Sequence, residues 1–238
     1  MNLKQITSAL VISAACFGIS TSSAKDFTKE EIESIVHDYI INNPDVLIEA
    51  QDKIEQRKAE LEKVQQNKIL NEIYSDKAIP KSGPDNAKHK VIEFFDYNCG
   101  YCKRSRPLLL ETLKDRNDVQ YIYLEFPILS DISVTAAKVG LALYAYDKAK
   151  YKQYNDNLMT SPERLTSEIR LQALVEELGL NWQEIKTLSE SKQVSETILK
   201  IRNFAKEFNV SGTPAFIIDG EILHGAPTSK GLIESYLK

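Results

Sequence analysis

Apolar residues at helical spacing predict two helices in the first third of the chain. The first helix begins after Thr28, which forms a capping-box pattern with Glu31 three residues later. Asn43 and Pro44 then interrupt the pattern and open a second helix, which continues to about Tyr74. The apolar stripe of the first helix comprises Ile32, Ile35, Val36, Tyr39 and Ile40.

The second predicted helix is charged over most of its surface, but a narrow apolar seam follows one face. The seam is spaced like an imperfect coiled coil and would be exposed in a monomer. A helix this polar has little to bury against a domain of its own chain. We therefore interpret residues 25–80 as a helical oligomerisation segment, with a solvated linker helix as the alternative. The seam positions are Leu47, Ala50, Ile54, Leu61 and Val64.

From about residue 81 the pattern changes to alternating strands and helices, which indicates an α/β domain over 81–238. A β-branched and aromatic strand at 90–96, a helix at 99–115 and a strand at 119–126 predict a right-handed parallel unit. Two cysteines lie at its strand-to-helix turn, beyond the carboxyl end of the strand, where open α/β sheets place their sites.

A helical insertion is predicted at about 130–205 within this domain. An Asp219-Gly220 turn after the insertion predicts a β-hairpin, and the segment 79–85 has the composition of a loop. Helical spacing predicts helices at 134–157, 164–178, 182–188, 194–208 and 229–237.

The N-terminus has the pattern of a secretory signal peptide. Lys4 precedes an apolar stretch at 6–19 and small residues at 22–24. The stretch is shorter than the about 20 apolar residues of a membrane span. We therefore predict a cleaved signal peptide at 1–24 and a periplasmic location. An uncleaved anchor and a lipoprotein modified at Cys16 are the alternatives.

The 238-residue chain has a formal net charge of −4 and three cysteines. Mild acidity without a basic cluster argues against nucleic-acid binding. Loss of the signal peptide removes Cys16 and leaves Cys99 and Cys102. The exported chain then has no other cysteine with which either of them could form a structural disulfide. A thiolate at a helix N-terminus is stabilised by unpaired N–H groups and the helix dipole. The spacing therefore predicts a redox-active dithiol.

A Cys-X-X-Cys pair can also be half of a zinc site, but a structural zinc site needs four ligands. The sequence has no second cysteine pair, and His37, His89 and His224 are scattered. We therefore predict no metal site. His89 and His224 are expected to be ordinary surface residues.

Three further features carry a resemblance to a known family. Pro107 follows Cys102 by five residues, Thr213 precedes Pro214 in a Ser-Gly-Thr-Pro-Ala segment, and the run FFDYNCGYC ends at Cys102. Together they resemble DsbA-like thiol:disulfide oxidoreductases, which implies a thioredoxin fold with a helical insertion. The run and the long N-terminal helix resemble ScsC-like proteins (suppressor of copper sensitivity protein C), which include oligomeric disulfide isomerases.

The resemblance implies a role for each matching residue. Cys99 is expected to be the exposed nucleophile and Cys102 the buried resolving thiol, with their disulfide as the redox centre and no other cofactor. Pro214 is expected to be cis and to leave the Thr213 backbone free to pair with an extended substrate. Glu93 matches the buried acid of the family and is a candidate proton relay for Cys102. Strand alternation alone leaves an outward-facing Glu93 as the alternative.

The resemblance also bears on the direction of the reaction. Strong oxidants of this fold often carry a histidine between the cysteines, whereas Gly100 and Tyr101 with Thr213 match the dimeric isomerase DsbC. A weaker thiolate and several linked active sites both favour isomerisation. The expected function is an oligomeric periplasmic disulfide isomerase, as a homotrimer or alternatively a dimer. Its expected partners are unfolded or wrongly disulfide-bonded proteins and a membrane thiol reductase of the DsbD or ScsB type.

Two other functions stay open at this point. A DsbA-like dithiol oxidase would use the same cysteines, with the N-terminal helices packed on the catalytic domain. A copper-binding or copper-stress protein would use the reduced thiols, because soft thiolates suit Cu(I).

Overall fold

The structure is a computed structural model that describes residues 26–237. The predicted signal peptide at 1–24 and Cys16 lie outside the described residues. The chain divides into two compact units, the first ending at Arg57 and the second beginning at Lys58. Within residues 26–237, none of the helices combines the length and the apolar character that crossing a bilayer requires.

Two helices precede the sheet, as predicted. The first, α1 (Lys29–Asn42), is capped by Thr28, whose Oγ1 accepts a hydrogen bond from the Glu31 backbone N at 3.2 Å. The Thr28 N donates in return to the Glu31 carboxylate at 3.0 Å, which completes the capping box. The second helix, α2 (Asp45–Ser75), is continuous over 31 residues.

The last turns of α2 differ from the expectation of a uniformly polar helix. Ile69, Leu70 and Ile73 are buried and belong to a core of the second unit. After Lys68 the helix carries only one further charged residue, Glu72, and it has an apolar face there to bury. The C-terminal turns of α2 therefore belong structurally with the α/β domain.

The second unit is built on a mixed five-stranded sheet with the order β1-β3-β2-β4-β5. β2 and β3 are parallel and are joined by helix α3 (Gly100–Leu113), which confirms the predicted unit. The remaining pairs are antiparallel. The strands are β1 (Lys81–Ser82), β2 (His89–Phe95), β3 (Val119–Glu125), β4 (Ala215–Ile218) and β5 (Glu221–His224).

The first strand lies in the segment that we predicted to be a loop. Lys81 pairs with Ile122, and Ser82 pairs with Tyr121. Two residues are too few for a periodic pattern to be visible in the sequence. The pairing with β3 therefore decides this strand.

The sheet is buried on both faces. Val91, Phe95 and Tyr121 pack on the side of α3 and most of the insertion, in one hydrophobic core. Ile92 and Phe94 face the other core, which contains the end of α2. Both alternating faces of β2 are therefore inside the protein.

Five helices form the insertion between β3 and β4. The predicted helix at 134–157 is two helices, because Asp147 is extended and its carboxylate caps the second by accepting from the Ala149 N at 2.7 Å. The helix predicted from 164 begins at Glu168, after a loop at 161–167. The helices are α4 (Asp131–Tyr146), α5 (Lys148–Thr160), α6 (Glu168–Glu177), α7 (Trp182–Ser189) and α8 (Lys192–Glu207).

The hairpin of β4 and β5 and the last helix, α9 (Lys230–Tyr236), confirm the predictions for the C-terminal part. Asp219 and Gly220 both have positive φ, at 50° and 89°, as a two-residue type I′ turn requires. The expectation for His89 was wrong. His89 is 3% exposed, and its Nδ1 lies 2.5 Å from the Asp219 carboxylate, because the hairpin turn reaches back to the start of β2.

Candidate active site

The turn between β2 and α3 is held by a buried carboxylate. The Asp96 backbone carbonyl accepts from the Cys99 N at 2.9 Å, and its side chain accepts from the Asn98 N at 2.7 Å. The same carboxylate accepts from the backbone N atoms of Ile128 and Leu129 at 2.9 and 3.0 Å. These bonds join the cysteine-bearing turn to the segment after β3 and fix its backbone.

Asn98, the residue before the first cysteine, joins the turn to the insertion. Its Oδ1 accepts from the Leu165 N at 2.7 Å, and its Nδ2 donates to the Leu165 carbonyl at 3.1 Å. A third bond connects Nδ2 to Ser130 Oγ at 3.1 Å. Sequence reasoning missed both Asp96 and Asn98, because their partners lie 32 to 67 residues away.

Both cysteines are free thiols in the structure, and Cys99 is the N-cap of α3. The expectation of an exposed Cys99 was wrong: it is only 5% exposed, because its side chain lies against Thr213, and Cys102 is the more buried of the two at 0%. The Cys99 Sγ accepts from the Cys102 backbone N at 3.3 Å and lies 3.2 Å from the Thr213 carbonyl oxygen. Thr213 precedes Pro214 across a cis peptide bond. The structure therefore brings Cys99, Cys102, Thr213 and Pro214 together, at the position that the sequence predicted.

The two thiols have opposite electrostatic environments. Hydrogen bonding with Cys102 and Thr213 and with backbone N–H groups lowers the pKa of Cys99 to about 6, although burial opposes this shift. Burial raises the pKa of Cys102 far above its usual value, and the hydrogen bond with Cys99 and the Glu93 charge act in the same direction. At neutral pH Cys99 is therefore a thiolate and Cys102 a thiol, the division of labour that thiol–disulfide exchange needs.

This asymmetry predicts a single thiolate titration near pH 6 in the reduced protein. Thiolate ultraviolet absorbance should rise by one group per chain with that midpoint, because Cys102 stays protonated. The lowered pKa stabilises the reduced fold at high pH, and this contribution is lost as the pH falls through about 6. A Cys102→Ser variant should keep the titration, and a midpoint near the ordinary 8.5 of cysteine would contradict the prediction.

The two residues between the cysteines are open to solvent. Gly100 is exposed, and Tyr101 has 62% of its surface accessible. The guanidinium of Arg104, one turn along α3, lies over the Tyr101 ring at 4.1 Å. The first turn of the helix therefore presents an aromatic ring and a cation next to Cys99.

Glu93 is fully buried beneath the dithiol, so the outward-facing alternative is wrong. Its Oε2 accepts a hydrogen bond from the Tyr121 hydroxyl at 2.5 Å and lies 3.2 Å from an Arg106 nitrogen. Strand alternation does place Glu93 opposite Ile92, but that face of β2 is covered by α3. The acid is close enough to affect the pKa of Cys102.

Arg106 is the charged partner that sequence reasoning missed. It is 1% exposed and lies about 5.7 to 5.9 Å from the ring centroids of Phe95, Tyr121 and Tyr123. Burial alone would lower its pKa, but the Glu93 charge and the tyrosines raise it. The available signal was its place one turn after Cys102 on the stripe that continues to Leu109, which put an arginine on the buried face of α3.

A third buried carboxylate, Glu125, lies at the end of β3. It accepts from the Tyr97 and Tyr151 hydroxyls at 2.7 and 3.2 Å, and burial raises its pKa well above the usual range. Gly140 makes room for it, since a Cβ there would be 2.8 Å from Glu125 Oε1. Burial therefore favours a neutral Glu125, while the two tyrosine hydrogen bonds act in the opposite direction and satisfy its buried oxygen.

The predicted seam residues lie along α2. All five are exposed, and the four large ones have accessible fractions of 56 to 69%. None of them is among the buried residues of α2. No group of three or more His, Cys, Asp or Glu side chains suited to a metal ion occurs among the described residues. The seam residues are Leu47, Ala50, Ile54, Leu61 and Val64.

Two family models match the chain. The model described as Thioredoxin matches residues 75–235, and that described as the copper resistance protein ScsC N-terminal domain matches residues 29–60. The first covers more than half of the chain and includes every residue of the dithiol site. The second covers α1 and the first half of α2.

Individual relatives agree with these models. A probable disulfide bond formation protein D from Bacillus anthracis is 26% identical over 162 residues, which are 64% of this chain and 75% of the relative. A periplasmic thioredoxin-like protein from Salmonella enterica serovar Typhimurium is 26% identical, with a TM-score of 0.64 over 72% of this chain and 97% of that one.

A linker-deletion variant of Proteus mirabilis ScsC has the same fold over a longer stretch. It is 24% identical, with a TM-score of 0.63, and the match covers 92% of this chain and 99% of that one. The fold, the paired thiols and the family matches agree. The chain belongs to the thioredoxin family and is a thiol:disulfide oxidoreductase of the DsbA and ScsC type.

Proposed function

We propose that the protein is an oligomeric disulfide isomerase that rearranges wrongly paired disulfides in exported proteins in the periplasm. The observation that carries the proposal is the exposed apolar seam of α2, in the same chain as the Cys99–Cys102 dithiol. The match of residues 29–60 to the ScsC N-terminal domain supports a role for this segment beyond that of a linker.

The seam is better explained by self-association than by solvation. Leu47, Ile54, Leu61 and Val64 lie on one face and are more than half exposed. Contiguous apolar surface of this kind is costly in water and marks interaction sites. Its near-heptad spacing fits packing between copies of the same helix, and a trimer is the assembly that we propose.

The site supports isomerisation without net electron transfer. The Cys99 thiolate attacks a substrate disulfide, forms a mixed disulfide and releases one substrate thiolate. That thiolate attacks a second disulfide within the substrate, and the newly released thiolate finally attacks the mixed disulfide at the substrate sulfur. The last step returns Cys99 as a thiolate, so the substrate gains correct pairing while the enzyme stays reduced.

The protonated state of Cys102 favours this cycle over substrate reduction. Cys102 must lose its proton before it can attack the Cys99 sulfur and release the substrate, and its raised pKa slows that loss. The mixed disulfide therefore persists long enough for rearrangement. We assign Glu93 the role of accepting the Cys102 proton when release does occur, because it is the buried carboxylate whose charge acts on that thiol.

Each release by Cys102 leaves a Cys99–Cys102 disulfide and transfers two electrons to the substrate. The oxidised protein must then be reduced by an external dithiol before it can work again. We propose a membrane thiol reductase of the DsbD or ScsB type for this step. The substrates are unfolded or wrongly disulfide-bonded proteins.

The oligomer predicts that isomerase activity depends on the seam whereas simple reductase activity does not. The variant Ile54→Lys/Leu61→Lys should become monomeric in light scattering, because two ammonium groups cannot be buried in the seam. Refolding of scrambled ribonuclease should fall by about tenfold or more, since linked active sites raise the effective concentration at one substrate. Insulin reduction per active site should stay unchanged.

The matched control is Gln56→Lys/Ala59→Lys, which places two lysines at exposed positions of α2 outside the seam. It should keep both the assembly and the refolding activity. A monomeric seam variant that refolds scrambled ribonuclease as well as the unmodified protein would refute the oligomeric isomerase. Rapid oxidation of reduced ribonuclease by the disulfide form, with no isomerase activity, would support the oxidase alternative instead.

A further inference from the structure

A groove of about 430 Å³ lies beside the dithiol and borders Cys99 through Thr213. One wall is the first turns of α3, and the other is the segment after β5. Its position next to the Thr213 carbonyl suits an extended substrate segment that carries the reacting cysteine. The lining residues are Tyr101, Arg104, Ser105, Thr213, Pro214 and 225–228.

Arg104 provides the charge of this groove. It is the only charged side chain among the described residues that line it. Its guanidinium is stacked over the Tyr101 ring at 4.1 Å, and it has no ion pair with a carboxylate in the described part of the chain. The edge of the guanidinium therefore keeps N–H donors free for a ligand.

Stacking also prepares Arg104 for binding. The ring contact restricts a side chain that would otherwise sample many rotamers, so less conformational entropy is lost when a partner binds. A planar guanidinium with a free edge fits a carboxylate in a bidentate manner. The neighbouring acid Glu163 lies in the 161–167 loop and does not line the groove.

We propose that Arg104 determines substrate specificity, and that the groove takes substrate segments with a carboxylate close to the reacting cysteine. This inference rests on the proposed function, because it concerns the substrate of the same dithiol. Arg104 acts by holding the segment beside Cys99, and thiol–disulfide exchange itself proceeds as described above.

The expected effect is modest and depends on salt. Arg104 is exposed, and ion pairs at exposed positions correspond to about two- to fivefold in an equilibrium or rate. At about 1 M salt the Debye length falls to about 3 Å, so most of the preference for substrates with a carboxylate should disappear. A preference for these substrates that persists at high salt would show that a contact other than the charge of Arg104 causes it.

The test compares two symmetric peptide disulfides that are identical except for Glu or Gln on both sides of the cysteine. Reduced protein is mixed with each peptide at low ionic strength, and the rate of mixed-disulfide formation is followed by acid quench and mass spectrometry. The Glu peptide should react about threefold faster than the Gln peptide. Arg104→Gln should bring the ratio of the two rates to about one, and Arg104→Glu should reverse it.

Arg164→Gln is the matched control, because Arg164 is an exposed cation near Lys103 that does not line the groove. It should keep the ratio of the unmodified protein. An equal ratio in the unmodified protein and in Arg104→Gln overturns the specificity role while the dithiol chemistry stands. Failure of the reduced protein to react with either peptide overturns the proposed function, and the specificity role with it.

Discussion

Cys99→Ser is expected to abolish thiol–disulfide exchange, with a loss of about a thousandfold or more, whereas Cys102→Ser is expected to trap substrates covalently. Cys99 is the N-cap of α3 with a pKa lowered to about 6, so it is the group that attacks at neutral pH. Cys102 is buried and protonated, so it acts only after the mixed disulfide has formed.

Non-reducing electrophoresis with a scrambled protein substrate measures both effects. Cys102→Ser should accumulate an adduct that a reductant removes, and Cys99→Ser should form none. The double variant Cys99→Ser/Cys102→Ser provides the baseline for non-specific association. An adduct that forms with Cys99→Ser and is absent with Cys102→Ser would reverse the assignment of the two thiols.

Arg106→Met is expected to lower the free energy of unfolding by about 3–5 kcal/mol at neutral pH. Arg106 and Glu93 are both fully buried and lie 3.2 Å apart, so removal of the cation leaves a carboxylate without a countercharge in the core. Equilibrium unfolding in urea of the unmodified and variant proteins, both reduced, measures the difference.

The control is Arg104→Met, the same change two residues earlier on an exposed face of α3. Arg104→Met should lower the free energy of unfolding by no more than about 0.5 kcal/mol. The double variant Glu93→Gln/Arg106→Met should be more stable than the sum of the single changes predicts, because it removes both charges. If Arg106→Met lowers the free energy of unfolding by no more than Arg104→Met does, the buried Glu93–Arg106 pair does not stabilise the fold.

Most of the elements could be predicted from the sequence. The capping box at Thr28 and the turn at Asp219-Gly220 are interactions within four residues, so the local sequence specifies them. The parallel unit around Cys99 could be predicted although its strands pair over 30 residues, because the order strand, helix, strand restricts how the two strands connect. The division of the helix at 134–157 was missed because Asp147 is a cap within an otherwise continuous helical pattern. The strand at Lys81–Ser82 exists only through its pairing with β3.

The candidate site could be predicted in part. The dithiol spacing and the Thr213-Pro214 segment identified the groups that the structure brings together around Cys99. Helical spacing also identified the seam of α2, although whether it joins several copies stays a prediction. Asn98 could not be placed, because its partner Leu165 lies 67 residues away in an irregular loop.

The local sequence accounts for the reactive thiol, because a helix that begins at a cysteine stabilises a thiolate there, and the second cysteine follows one turn later. The burial of Glu93 and its pairing with Arg106, by contrast, depend on the tertiary structure. Alternation along a strand separates two faces but does not say which face meets water. Coverage of both faces of β2 enclosed the carboxylate, and the packing of α3 on the sheet placed Arg106 beside it.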